Sequence, residues 1–290
     1  MFPGTPVAAI HTTTDGRWQF VITPTYAAWV ETDAIAFGPR DVVLDYVGRA
    51  TRTVTGSQEQ TVFTPECPAV SKVVLDMGAV LPEIRAWPLD EAVNGQSAVA
   101  GHVVEMPLRD PDGSLRIVPA LLPRSADTHD GPLPATRGNV LRQAFKFLGE
   151  RYGWGHDYGA RDCSGFVGEV YRSLGILLPR NTRDQAACEA FDRTPVAAEA
   201  SRATRLAELA GLLPGDLVYV PGHVMMVVGH DRSGAWVIHD THGSPAGGVP
   251  AANGVVVSPL VSLEGPGGGS LVDTVTVLVR ILPRPDRKTR

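Results

Sequence analysis

The pattern of apolar residues changes once along the chain, at residues 123–136, and this change limits the folds it can adopt. Before it, short apolar runs alternate with turn signals such as Asp15-Gly16, Asn94-Gly95 and Pro111-Asp112-Gly113, which predicts strands with no helix between them. After it, helical periods come first and strands follow, as in an α+β domain. Residues 123–136 are rich in turn formers and are predicted to be a linker.

Strands this short are expected to close into small barrels. We predict an SH3-like barrel over residues 1–50, lacking its first strand if the chain begins inside it, and a second barrel over 51–122. The α+β domain is predicted over 137–290. Four aromatic residues in the first part are expected to pack in the barrel cores rather than to stack on a ligand: Trp18, Tyr26, Trp29 and Trp87.

Length and composition indicate a folded protein of about two domains. The chain has 290 residues, of which 43% are hydrophobic and 20% are charged, and this excludes a disordered chain. No apolar run approaches the roughly 18 residues of a membrane span. The net charge is −5 and basic residues cluster only in the tail from Arg284 to Arg290, which argues against nucleic acid as the main partner.

The cysteines and the amino terminus give an expectation of compartment. Three cysteines at wide spacing fit neither a disulfide framework nor a paired zinc motif. Met1-Phe2-Pro3-Gly4 does not begin a basic region followed by an apolar core, so no signal peptide is visible and a cytoplasmic protein is expected. A periplasmic or secreted protein is the alternative if a segment precedes Met1.

Cys163 is predicted to lie in the first turn of a helix. The residues after it recur at helical spacing until Gly175: Phe166, Val167, Val170, Tyr171 and Leu174. A helix amino terminus favours the thiolate, so we expect the pKa of Cys163 to fall from about 8.5 toward neutrality. On position alone, a small buried hydrophobic residue is an equally good interpretation.

A cysteine nucleophile needs a base, and two histidines are placed to serve it. His223 opens a predicted strand and shares a face with Met225, while His239 lies on the next strand. If the two strands are antiparallel neighbours, both rings face the same side. His242 competes with His239 but falls in a predicted loop. Zinc bound by the cysteine and both histidines is an alternative that lacks a fourth ligand.

Five motifs in order resemble the NlpC-type cysteine peptidases, a papain-like family of bacterial cell-wall hydrolases. The resemblance covers residues 137–281, and the part before it resembles the bacterial SH3-like domains of one branch, the γ-D-glutamyl-L-diamino acid endopeptidases. The motifs are Tyr152-Gly153-Trp154-Gly155, Asp162-Cys163-Ser164-Gly165-Phe166, Leu178-Pro179-Arg180, Pro214-Gly215-Asp216-Leu217 and Gly222-His223-Val224.

The resemblance implies a catalytic role for four residues. Cys163 would attack the carbonyl, and His223 would act first as base and then as acid. His239 would orient His223, and the Tyr152 hydroxyl would help the Cys163 N–H to hold the oxyanion.

Other residues match positions that surround the L-Ala and D-Glu of the substrate: Asp162, Ser164, Asn181 and Thr182. In this branch an acidic residue of the SH3-like part meets the free amine, and Glu31 is the candidate, with Asp33 behind it. Two positions depart from the family pattern, because His156 replaces a glycine and Asn181 replaces an aspartate.

The expected activity is hydrolysis of the γ-D-glutamyl to L-diamino acid bond, with meso-diaminopimelate or L-Lys as the diamino acid. The substrates would be peptidoglycan stem peptides with a free N-terminal L-Ala, cut during murein peptide recycling by a monomer that needs no cofactor or metal. One alternative is a hydrolase of intact murein anchored by the SH3-like part. The other is a wall-binding protein without catalytic activity.

Overall fold

The computed structural model describes residues 1–246, 249–265 and 268–284. The chain divides into two compact units, one of residues 1–133 with 175–177 and the other of residues 134–174 and 178–290. The end of the basic tail, residues 285–290, lies outside the described residues.

The first unit consists mainly of short antiparallel strands joined by tight turns. The strands on either side of Asp15-Gly16 form a three-stranded sheet with the next strand, in the order β1-β2-β3, and β10 and β11 pair on either side of Pro111-Asp112-Gly113. Its elements are β1 (Ala8–Thr12), β2 (Trp18–Ile22), β3 (Ala27–Glu31), α1 (Arg40–Arg49), β4 (Ala50–Val54), β5 (Gln58–Gln60), β6 (Val74–Asp76), β7 (Val80–Pro82), β8 (Ala92–Val93), β9 (Gln96–Ser97), β10 (Gly101–Arg109), β11 (Leu115–Pro123) and β12 (Thr128–Asp130).

Helix α1 corrects the prediction that this region has no helix. Of its residues only Tyr46 is buried, and its other apolar residues include three in succession, Val42, Val43 and Leu44, which cannot all lie on one buried face of a helix. The Tyr46 hydroxyl donates to the carbonyl of Glu105, 3.1 Å away, and Phe37 bridges to Ser114. Residues 1–50 therefore pack against residues 51–122, and the boundary predicted at residue 50 does not separate two units.

The predicted linker, residues 123–136, is also partly wrong. Strand β12 lies within it and pairs with β4, with Thr128 opposite Val54 and Asp130 opposite Arg52. Backbone hydrogen bonds to β4 fix these residues in the first unit, although their side chains carry no apolar alternation.

The main core of the first unit is aliphatic, which corrects the expectation for three of the four aromatic residues. Trp18, Tyr26 and Trp29 are 39%, 44% and 46% exposed, whereas Trp87 packs against a buried cluster as expected. The larger core cluster consists of Val54, Val70, Leu75, Ala79, Leu81, Val104, Met106, Ala120 and Leu122.

The second unit places helices beside a six-stranded antiparallel sheet. Its helices are α2 (Arg137–Phe145), α3 (Cys163–Arg172), α4 (Thr182–Ala187) and α5 (Arg202–Ala210), and its strands are β13 (Asp192–Pro195), β14 (Leu217–Val220), β15 (His223–Asp231), β16 (Gly234–Ala246), β17 (Val249–Pro259) and β18 (Val277–Arg280). The strand order is β13-β18-β14-β15-β16-β17. Thr136 caps α2 by accepting a hydrogen bond from the Asn139 N–H at 3.2 Å.

Helix α3 packs on strands β15 and β16 and brings its first residue to the sheet. Its apolar stripe is buried, and Phe166 meets Phe147 edge-on with ring centroids 5.6 Å apart. Residues 271–274 form a 3-10 turn before β18. Strand β17 was not predicted.

Among the described residues, no helix is both long enough and apolar enough to cross a membrane.

Candidate active site

Cys163 begins helix α3 and is almost fully buried, with 4% of its surface exposed. Asp162 caps the helix by accepting a hydrogen bond from the Gly165 N–H at 2.8 Å. The Cys163 Sγ lies 3.7 Å from the Thr182 Oγ1, and the backbone N–H groups of Ser164 and Val224 donate to it. The first residues of β15 therefore lie against the thiol.

Burial raises the pKa of Cys163 above its usual value, and the Asp162 carboxylate adds to the rise, while the Thr182 hydroxyl and two N–H groups oppose it. The expectation of a pKa near neutrality is therefore wrong for the resting site. Withdrawal from water disfavours the thiolate more than the surrounding donors favour it. A nucleophilic role for this thiol would therefore require a base that takes its proton.

His223 and His239 form a hydrogen-bonded pair, with the His223 Nε2 2.9 Å from the His239 Nδ1. This confirms the prediction that the two rings face the same side of β15 and β16. His239 is fully buried, and its Nε2 has no hydrogen-bond partner among the described residues. Burial lowers the pKa of His223 to about 4, and burial together with His223 lowers that of His239 to about 3, so both rings are neutral at pH 7.

The zinc alternative finds no support in this arrangement. The two facing nitrogens are engaged with each other and cannot coordinate a metal at the same time. Among the described residues, no three His, Cys, Asp or Glu side chains are grouped so that they could hold a metal ion.

Tyr152 contacts the thiol from the loop that precedes α3. Its hydroxyl hydrogen-bonds to Cys163, and its pKa is raised, chiefly by burial and then by the charges of Cys163, Asp162 and Asp240. Its ring lies 5.1 Å from that of Trp154 and 5.9 Å from that of His242. His242, the competitor of His239, thus joins an aromatic cluster with Tyr152 and Trp154.

Two of the predicted substrate residues are held by an arginine whose role the sequence analysis missed. The Arg180 Nη2 lies 2.7 Å from the Asp162 Oδ2, and its Nη1 donates to the Ser164 Oγ at 3.0 Å. Arg180 lies in a matched motif, but the motif does not indicate which residues it contacts. The Asp162 carboxylate is therefore already paired, and the Arg180 guanidinium lowers its pKa against the opposing effect of burial.

His156 links this arginine to helix α3. Its Nδ1 lies 3.0 Å from the Arg180 Nη2 and its Nε2 lies 2.8 Å from the Glu169 Oε1. The backbone of His156 has a φ of +72°, a left-handed conformation that favours the glycine found here in the family pattern. Glu169 could have been noticed in the sequence, because it is a charged residue within the apolar stripe of α3.

The remaining predicted residues lie in different places. Thr182 begins α4 beside the thiol, while Asn181 is exposed and donates to the Asp184 Oδ2 at 3.0 Å. Glu31 is exposed at the end of β3 in the first unit, opposite Trp18, and Asp33 pairs with Arg109 at 3.4 Å. The role proposed for Glu31 stays a prediction.

A cysteine at a helix amino terminus, packed on an antiparallel sheet that carries a histidine pair, is the arrangement of the papain-like fold. The predicted fold class is confirmed: the second unit is an α+β papain-like domain, and the first is an SH3-like region of β strands.

Comparisons with known proteins agree with this assignment. Residues 149–245 match the model of the NlpC/P60 family, and residues 1–31 match that of an SH3 domain of the SH3b1 type. The chain therefore contains an NlpC/P60 domain and an SH3b region. A search of curated proteins finds no match to this sequence.

Two solved structures share the fold over nearly the whole chain. An NlpC/P60 endopeptidase from Photobacterium damselae subsp. piscicida is 18% identical with a TM-score of 0.74, and the match covers 96% of this chain and 64% of that one. An NlpC/P60 family protein from Bacillus cereus ATCC 10987 is 20% identical with a TM-score of 0.64, covering 97% and 81%. The chain thus spans less than two thirds of the first relative.

Proposed function

We propose that the protein is a cysteine peptidase in which Cys163 is the nucleophile and His223 is the base. The observation that carries this proposal is the hydrogen-bonded pair of His223 and His239. His223 begins β15, and the next residue on that strand, Val224, donates its backbone N–H to the Cys163 thiol. A neutral His223 that donates from Nε2 to the His239 Nδ1 keeps its own Nδ1 free to accept a proton.

In the proposed cycle the Cys163 Sγ forms a bond to the substrate carbonyl carbon while its proton passes to His223. The oxyanion is held by donors around the thiol, for which the Cys163 N–H and the Tyr152 hydroxyl are the candidates. His223 then gives the proton to the leaving amine, the C–N bond breaks and a thioester remains. Water, deprotonated by His223, attacks the thioester and releases the acid and the thiol.

The proposed substrate is a peptidoglycan stem peptide, cut between γ-D-Glu and the L-diamino acid. Its support is the combination of an NlpC/P60 domain with an SH3b region, which resembles the branch with this specificity. The same branch uses an acidic residue of the SH3-like part for the free L-Ala amine, and Glu31 stays the predicted residue for that role. A buried ammonium needs such a carboxylate.

Two digests test this specificity. Purified L-Ala-γ-D-Glu-meso-diaminopimelate and intact sacculi are incubated separately with the protein, and the products are identified by mass spectrometry. The recycling role predicts cleavage of the tripeptide and little release from sacculi, and N-acetylation of the tripeptide should abolish cleavage because it removes the ammonium. Release from sacculi alone would favour the hydrolase of intact murein.

A further inference from the structure

Asp240 is a fully buried carboxyl group next to the proposed active site that the proposed mechanism does not use. It follows His239 on β16, and both of its side-chain oxygens lack a hydrogen-bond partner among the described residues. A buried polar group without partners is costly, and a buried anion without a counter-charge is far more so. The native fold must therefore reduce this cost in some way.

Arg161, which favours the Asp240 anion, and Arg180, which lies against the start of α3, are already paired with other carboxylates. Arg161 donates to Glu169 at 2.9 Å and to both oxygens of Glu150 at 3.1 Å, and Arg180 pairs with Asp162. The guanidinium groups of Arg161 and Arg180 are thus shared among three carboxylates, and an ionised Asp240 would be a fourth.

The groups that act on Asp240 come from the segment that precedes α3 and from the start of that helix. Glu150 and Asp162 disfavour its anion, and Tyr152 would do so if ionised, whereas Arg161 favours it. Strand β17 places the apolar Val255 opposite, and His239 points to the other face of β16. Burial, followed by Glu150 and Asp162, raises the pKa of Asp240 to about 8.

We infer that Asp240 is held as a neutral carboxylic acid beside the active site and that its ionisation switches the site off at alkaline pH. Ionised Asp240 would add a second negative charge near Asp162, where the thiolate and the oxyanion must form. The effect on turnover rests on the proposed peptidase function, whereas the protonation state itself does not.

The first test measures stability and does not depend on activity. Between about pH 4 and pH 8 the folded protein holds a proton on Asp240 that the unfolded chain has lost, so this residue makes stability fall as pH rises. Asp240→Asn removes that loss. The melting temperature of the variant relative to wild type should rise by about 5 °C or more between pH 5 and pH 8.

Asp216→Asn is the matched control, because Asp216 is equally buried but paired with Arg137 at 2.9 Å and Arg280 at 3.3 Å. This variant should lose stability throughout the same range. The inference would be overturned if the difference in melting temperature between Asp240→Asn and wild type did not change with pH. If the variant does not fold, the carboxyl ¹³C resonances of the wild type are titrated instead. A carboxyl resonance that titrates near pH 8 supports the inference, and the absence of any that titrates above about pH 6 overturns it.

The second test is the pH profile of kcat/KM on the tripeptide. Wild type should lose about tenfold between pH 7.5 and pH 9, while Asp240→Asn should keep its pH 7 activity across that range. If neither protein cleaves the tripeptide, the proposed function fails and the stability test still decides the state of Asp240. Identical alkaline limbs in both proteins would contradict the proposed effect on catalysis.

Discussion

Gly165 lies two residues after Cys163, and its lack of a side chain makes room for His156. A methyl group at this position would overlap the His156 Cε1. The His156 ring is fixed there by Glu169 on one side and Arg180 on the other. In this chain the glycine of the Asp-Cys-Ser-Gly motif is therefore required by the packing of His156, a residue that departs from the family pattern.

We predict that Gly165→Ala destabilises the protein by about 1 to 3 kcal/mol, because the core must shift to admit the methyl group. Gly168→Ala in the same helix is the control: its nearest neighbour would be the Gln185 Nε2 at 3.9 Å, so it should be neutral or stabilising. Urea unfolding measures both. Gly165→Ala should cost little in a His156→Gly background, and an equal cost in both backgrounds would show that His156 is not the obstacle.

The segment before α3 is tied to the rest of the second unit at both ends. Glu150 and Val255 of β17 are joined by a backbone hydrogen bond of 2.8 Å, and any side chain at Gly254 would overlap the Glu150 carbonyl. At the other end, Arg161 is fully buried and binds both Glu150 and Glu169. This segment carries Tyr152 to the thiol, so its anchoring positions part of the site.

Replacing Arg161 with Met should destabilise the protein by about 3 to 5 kcal/mol, because it leaves the buried Glu169 without its guanidinium partner. Chemical denaturation provides the measurement. Arg202→Met is the control, since its pair with Asp273 is about half exposed and should contribute no more than about 1 kcal/mol. Equal losses of stability in Arg161→Met and Arg202→Met would contradict a larger contribution from the buried pair of Arg161 and Glu169.

The elements that carry clear patterns could be predicted from the sequence. Local sequence patterns mark the apolar stripe of α3, the Thr136 cap and the strand that starts at His223. Helix α1 and strand β12 could not be predicted, because one buried side chain or a few backbone hydrogen bonds fix them. Their stability comes from tertiary contacts, which leave no period in the sequence.

The candidate site likewise has residues that could be predicted from the sequence and properties that depend on the fold of the whole molecule. Cys163, His223 and His239 could be predicted because strand alternation and a helix start are local properties. The effect of burial on charge could not, since the pKa values of Cys163 and Asp240 depend on groups brought together from distant parts of the chain. The Arg180, His156 and Glu169 contacts are likewise products of the fold.

His239, which is fully buried, and His223, which is half-buried, should make the folded protein sensitive to acid. Each imidazole titrates near 6.5 when unfolded, but at about 4 for His223 and about 3 for His239 in the fold. Below pH 6.5 the unfolded chain binds protons that the folded protein does not, so stability falls as pH falls, by about 1.4 kcal/mol per pH unit for each histidine.

The double variant His223→Asn/His239→Asn should remove this dependence, so that its stability relative to wild type rises between pH 7 and pH 5. Urea unfolding at each pH provides the measurement. His11→Asn, at an exposed position, is the control and should follow the wild-type profile. A double variant that also follows the wild-type profile would show that the pair is not buried in the neutral form.

The most direct test of the central claim is mass spectrometry of L-Ala-γ-D-Glu-meso-diaminopimelate after incubation with wild type and with Cys163→Ala. Wild type is predicted to release free diaminopimelate and L-Ala-D-Glu. The variant, which lacks the nucleophile, should be slower by about a thousandfold or more. Equal turnover by the two proteins, or wild-type cleavage at the L-Ala to D-Glu bond instead, would contradict the account.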